Sequence, residues 1–160
     1  MKVHLVSLGC KLNQSELETW VRELAALGCE IVAQPEQADV CIVNTCAVTH
    51  VAARKSRQLV RKLSRSNPAA RLVVAGCYAE LNAVEVKGLA SVMMVAGTAQ
   101  KAELVSELAG QLNLSTVGVT PKRDNVAPDQ SPALTGLRTR ALIKIQDGCD
   151  NACTYCIVRV

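Results

Sequence analysis

Short apolar runs alternate with amphipathic stretches from Lys2 to Leu112, and this alternation restricts the possible folds more than any other feature of the chain. Lys2 to Ser7 is a β-branched run ending at Gly9. Ser15-Glu16-Leu17-Glu18 has the Ser and Glu spacing of a capping box, which predicts a strand, a loop and then a helix opening there. Leu17, Trp20, Val21, Leu24 and Leu27 recur at helical spacing until Gly28, a residue suited to a C-cap. Glu30 to Ala33 and Val40 to Asn44 read as strands separated by a polar turn containing Pro35. His50 to Ser66 is an amphipathic helix: Ala52, Ser56, Leu59, Val60 and Leu63 share one side, Arg54, Arg57, Arg61 and Arg65 the other, and Asn67-Pro68 ends it. Arg71 to Ala75 and Val92 to Ala96 are further buried-strand patterns, followed by helical segments at about Ala79 to Leu89 and Ala99 to Leu112.

Strands separated by helices predict an α/β fold, a doubly wound, mainly parallel sheet of about five strands with flavodoxin-like order and helices on both faces. That domain covers residues 1–112. Apolar periodicity fails over residues 113–139, which read as a linker. A new strand at Ala141 runs into Asp147-Gly148-Cys149, so residues 140–160 read as the truncated start of a second domain.

A chain of 160 residues, 49% hydrophobic, holds one well-buried domain plus a tail. There is no run of 18 apolar residues, and the N-terminus enters a strand pattern rather than a signal sequence, so the expectation is a cytoplasmic chain with no membrane partner. Eight cysteines are too few for a disulfide scaffold, and reduced thiols in that compartment point to metal or redox chemistry. The net charge of +4 is mild, but from Val40 to Ala79 there are seven basic residues and no Asp or Glu. The basic face of Arg54, Arg57, Arg61 and Arg65 could meet nucleic-acid phosphates or remain a solvated helix face. Neither a GxGxxG fingerprint nor a Walker loop is present, which argues against dinucleotide or nucleoside triphosphate binding. His4 and His50 receive no role.

Cys10, Cys46 and Cys77 each stand just beyond the C-terminal end of a predicted strand, in Leu8-Gly9-Cys10, Asn44-Thr45-Cys46 and Ala75-Gly76-Cys77. In an open parallel sheet those ends form the ligand crevice, so three thiols distant in sequence converge on a candidate metal site. Cys29 and Cys41 lie at a strand start or within an apolar run and read as core. Cys149, Cys153 and Cys156 form a C-x3-C-x2-C run, with which one short loop can present three thiolates to an iron-sulfur or zinc centre. A structural zinc site would want a fourth Cys or His nearby, and none follows before Val160.

The C-x3-C-x2-C run with Tyr155 before its last cysteine resembles the signature of radical S-adenosylmethionine enzymes. Together with Gly9-Cys10-Lys11-Leu12-Asn13, Asn44-Thr45-Cys46 and Gly76-Cys77, it resembles the methylthiotransferases among them. The resemblance implies two 4Fe-4S clusters, an auxiliary one on Cys10, Cys46 and Cys77 and a radical-generating one on Cys149, Cys153 and Cys156. Three thiolates would leave one iron of each cluster open, at the second for S-adenosylmethionine, with Tyr155 among the cofactor-binding residues. It further implies tRNA as substrate and an electron donor such as a flavodoxin or ferredoxin. Cys-Lys-Leu-Asn-Gln-Ser-Glu from Cys10, Ala53 to Gln58, and Ile145 to Cys149 look most like the branch acting on threonylcarbamoyladenosine, with the isopentenyladenosine branch as the alternative. Lys11 stands where the branch modifying a ribosomal protein usually has Pro, and Arg159 where many members have Pro. Enzymes of this kind enclose their substrates in a barrel of roughly 200 further residues, so the 160-residue chain is not expected to catalyse alone. A non-enzymatic metal-binding or electron-transfer module is the other class of reading.

Overall fold

The computed structural model describes residues 1–114 together with Asn151, Cys153 and Thr154. The linker from residue 115 on, the strand expected at Ala141, and Cys149, Tyr155 and Cys156 lie outside the described residues. Five strands, β1 (Lys2–Ser7), β2 (Glu30–Ile31), β3 (Val40–Thr45), β4 (Arg71–Gly76) and β5 (Val92–Ala96), pair in parallel in the order β2-β1-β3-β4-β5. This is the flavodoxin-like doubly wound order, whose crossover direction switches between β1 and β3.

Strand alternation explains the two cores. Val40 and Ile42 of β3, with Val3, Val73, Ala75 and Ala96, face α1 (Lys11–Ala26) and α5 (Leu104–Gln111) through Trp20, Leu24, Leu104 and Leu108. Cys41 and Val43, with Leu72 and Val74, face α2 (His50–Ser66), α3 (Cys77–Leu81) and α4 (Ala83–Lys87) through Val60, Leu63, Tyr78, Ala79 and Val86. Cys29 and Cys41 are core residues, one in each cluster.

Three local expectations are corrected. The first helix does not wait for a capping box: it starts at Lys11, with Cys10 as an N-cap whose side chain makes no cap hydrogen bond, and Ser15 lies inside it. Gly9, at φ +117°, turns the chain from β1 into the helix within the three residues Leu8 to Cys10, well ahead of Ser15. The helix read at Ala79 to Leu89 is two short helices parted at Asn82, whose side-chain amide donates to the Tyr78 carbonyl at 3.2 Å. The segment at Ala99 to Leu112 opens as a 3-10 turn (Lys101–Glu103) before α5. By contrast α2 has the expected bounds, with Thr49 capping it through Ala52 N at 3.1 Å, and Gly28 follows α1 at φ +77°.

Candidate metal centre

Cys10, Cys46 and Cys77 follow β1, β3 and β4, three adjacent strands, at their C-terminal ends. Thr45 and Gly76 are register partners, so Cys46 and Cys77 are the next residues on neighbouring strands. Leu8 N donates to Asn44 O at 2.9 Å, carrying the β1–β3 pairing to within two residues of Cys10. The crevice is therefore the switch point of the sheet, where open α/β folds bind ligands. Cys46 is buried, Cys77 half-buried and Cys10 exposed.

Hydrogen bonds fix the three loops. Cys46 N donates to Ser56 Oγ at 3.1 Å, and Ser56 Oγ donates to Cys46 O at 2.8 Å, clamping the β3 loop to α2. Thr45 Oγ1 donates to Ala75 O at 2.6 Å and accepts from Ala79 N at 3.2 Å, joining the ends of β3 and β4 to the start of α3. Asn13 Nδ2 donates to Leu8 O at 2.8 Å and to Thr45 O at 3.1 Å, bridging the loops that carry Cys10 and Cys46. Cys10 Sγ in turn donates to Asn13 Oδ1 at 3.7 Å. Glycine is required twice here: a β-carbon on Gly9 would meet Cys46, and one on Gly76, at φ +100°, would stand 2.3 Å from Thr45 O.

A buried charge pair lies behind this bridge. Lys101 Nζ is 2.8 Å from Glu16 Oε2, with both side chains less than a tenth exposed, and donates to Asn13 Oδ1 at 3.3 Å. Glu16 Oε2 also accepts from Asn44 Nδ2 at 2.9 Å, while Asn44 Oδ1 is buried without a hydrogen-bond partner among the described residues. Burial pushes the Cys77 thiol above its ordinary value; the Lys101 charge pulls it back, and Cys46 and Cys10 add to the rise. Asn13, Glu16, Asn44 and Thr45 stand in the motifs quoted from the sequence but carry no role there, and Lys101 has no sequence signal at all. Ser56, on the apolar side of the α2 wheel, was the one visible sign of a buried polar contact.

Chemically the three residues fit a soft-metal group, since all are thiols. Among the described residues no group of three or more His, Cys, Asp or Glu is placed to hold a single metal ion. Cys153 is exposed.

All four arginines of the basic face are exposed. Two are engaged: Arg61 pairs with Glu85 at 2.9 Å, and Arg57 donates to the Tyr78 hydroxyl at 3.3 Å with Glu85 3.7 Å away. Tyr78, the residue after Cys77, also donates to Glu85 Oε2 at 3.1 Å. Among the described residues no helix is long and apolar enough to cross a membrane.

Residues 2–97 match UPF0004, described as an uncharacterized protein family. The chain is 34% identical over 161 residues to the threonylcarbamoyladenosine tRNA methylthiotransferase MtaB of Aquifex aeolicus, covering 99% of this chain and 39% of that protein. It is 35% identical over 162 residues to MtaB of Bacillus subtilis, covering 95% and 34%. To the ribosomal protein uS12 methylthiotransferase RimO of Chloroflexus aurantiacus it is 31% identical over 176 residues, covering 99% and 38%. The chain thus spans less than two fifths of the length of these relatives.

Proposed function

The chain belongs to the UPF0004 family, and from that premise we propose that it is the N-terminal part of a tRNA methylthiotransferase that adds a methylthio group to threonylcarbamoyladenosine beside the anticodon. The observation that carries the reading is the placement of Cys10, Cys46 and Cys77 on three adjacent strand ends at the switch point. They would hold an auxiliary 4Fe-4S cluster, and Cys149, Cys153 and Cys156 a second one with S-adenosylmethionine beside Tyr155. When bound, such groups supply one-electron cleavage of S-adenosylmethionine at one site and a seat for the transferred sulfur at the other.

The chain's own residues do the positioning. Ser56 and Thr45 hold the Cys46 and Cys77 loops to their helices, Asn13 spans the Cys10 and Cys46 loops, and Gly9 allows those loops to touch. To hold a cluster the thiols would have to lose their protons, so its uptake would release protons. Arg54, Arg57, Arg61 and Arg65 would meet the tRNA backbone, which attracts cations without reading bases. A flavodoxin or ferredoxin would deliver electrons to the whole protein in a cytoplasmic setting.

Anaerobic reconstitution with iron and sulfide tests the cluster reading. The expected product is a brown chain carrying two four-iron clusters, and Cys→Ala changes across either set of three cysteines should halve the iron. A colourless chain holding a single zinc sinks it, because zinc has no visible absorption and wants a closed four-ligand shell. Mass spectrometry of tRNA nucleosides from a deletion strain tests the substrate. Loss of the methylthio-threonylcarbamoyl nucleoside is expected; its retention, with loss of the isopentenyl analogue instead, would reassign the chain.

A further inference from the structure

We propose that Lys101 is a positioning residue of the three-thiol crevice, its buried ammonium raising the reduction potential of the iron-sulfur group that Cys10, Cys46 and Cys77 would hold. This rests on the cluster reading above and adds to it a source of redox tuning in the fold itself.

Lys101 is 3% exposed and arrives from the loop after β5, the fourth strand end to reach this side of the sheet. Its Nζ shares Asn13 Oδ1 with the Cys10 thiol, at 3.3 and 3.7 Å, so a single side-chain oxygen separates the ammonium from that ligand. Asn13 also holds the carbonyl of Thr45, the residue before Cys46. The Lys101 charge bears on Cys77 as well. Cys10 and Cys77 therefore lie in the field of one buried cation, and the loop that carries Cys46 is tied to the same Asn13 side chain.

Anchoring the chain does not require this charge. The backbone at residue 101 is already fixed, because Trp20 Nε1 donates to the Lys101 carbonyl at 3.2 Å. Burying an ion pair gains little stability over a packed apolar pair, which leaves the electrostatic field on the crevice as what the pair provides. Three thiolates on a four-iron core make an anionic group, and taking up one electron from an external donor adds one further negative charge. A fixed cation nearby favours the reduced state. Glu16, 2.8 Å from the Lys101 ammonium and bonded to Asn44, opposes that field.

The test uses the full chain with Cys149, Cys153 and Cys156 changed to Ala, reconstituted anaerobically with iron and sulfide and titrated with dithionite through redox mediators. Iron content and circular dichroism report whether each variant folds and loads. Lys101→Met should lower the midpoint potential, Lys101→Arg should restore it, and Glu16→Gln, which keeps the hydrogen bonds and leaves the ammonium uncompensated, should raise it. Should Lys101→Met fail to fold, the opposed shifts between Glu16→Gln alone and Glu16→Gln with Lys101→Met carry the comparison. Potentials that stay together across fully loaded variants overturn the role of Lys101 and leave the cluster reading standing. A parent chain that takes up no iron overturns both.

Discussion

Gly9 lies against Cys46 with no room for a side chain: a β-carbon on Gly9 would stand 2.4 Å from Cys46 Cβ and 2.9 Å from its Sγ. The contact joins the loops after β1 and β3, and Gly9 adds φ +117°, a conformation that disfavours any β-carbon. Gly9→Ala should therefore cost roughly 3 kcal/mol or more in urea unfolding, with strain and overlap acting together, and should reduce iron uptake. Gly28→Ala is the control. It has φ +77° but nothing within 4 Å of its would-be β-carbon, so about 1 kcal/mol is expected. Equal costs at the two positions would mean that the Gly9–Cys46 contact is slack.

The Lys101–Glu16 pair couples the segment after β5 to α1. Removing one partner leaves a buried charge alone, so Lys101→Met is expected to cost about 3 kcal/mol. Adding Glu16→Leu to Lys101→Met should recover much of that loss, although Asn44 Nδ2 then keeps only its bond to Asn13 O at 3.1 Å. A double-mutant cycle in urea decides: costs that simply add would show that the two charges do not act as a pair.

The sheet was legible in the sequence because β1, β3 and β4 are compact runs rich in Val and Ile and each long helix has a clear apolar stripe, while β2 is only Glu30–Ile31, shorter than the run to Ala33 suggests. The placement of Cys10, Cys46 and Cys77 at adjacent strand ends was legible for the same reason, since each follows a strand of a parallel sheet. The buried polar shell was not legible. Asn13, Glu16 and Lys101 are ordinary surface residue types, and only the packing of α1 against the segment after β5 encloses them. The start of α1 was misjudged for a related reason: Gly9 and the Asn13 bridge settle it by tertiary contact, and the Ser15 capping pattern falls within the helix already under way.

The basic face of α2 should divide into two kinds of arginine. Arg57 and Arg61 have partners in Tyr78 and Glu85. Changing Arg54 or Arg65 to Ala should weaken tRNA binding alike for all sequences and flatten its salt dependence by about one unit of slope each. Arg61→Ala should lose less binding, because Glu85 already competes for that charge, and Glu85→Gln should strengthen binding by freeing Arg57 and Arg61. Filter binding or fluorescence anisotropy across a salt series checks this, and a face insensitive to all four arginines would place the RNA elsewhere.

Cys41 gives the fold an alkaline limit. Its thiol is held at 1% exposure in the core between the sheet and α2, and burial, with a smaller contribution from Glu36, pushes its pKa from 9.0 up to about 11. Below pH 9 the thiol is protonated in both states, so it does not make stability depend on pH. Between pH 9 and about 11 the unfolded chain releases the proton while the folded chain still holds it, so stability must fall as pH rises. Cys29, Cys77 and Tyr78, all raised chiefly by burial, act in the same sense. Cys41→Val keeps an apolar side chain of similar size and removes the titration, so its urea midpoint should fall less than that of the parent between pH 8 and 11. An equally steep fall would show that Cys41 ionises as readily in the folded chain as in the unfolded one. Iodoacetamide at pH 8 offers a second check, in which exposed Cys10 should be alkylated in the native chain and Cys41 spared until denaturant is added.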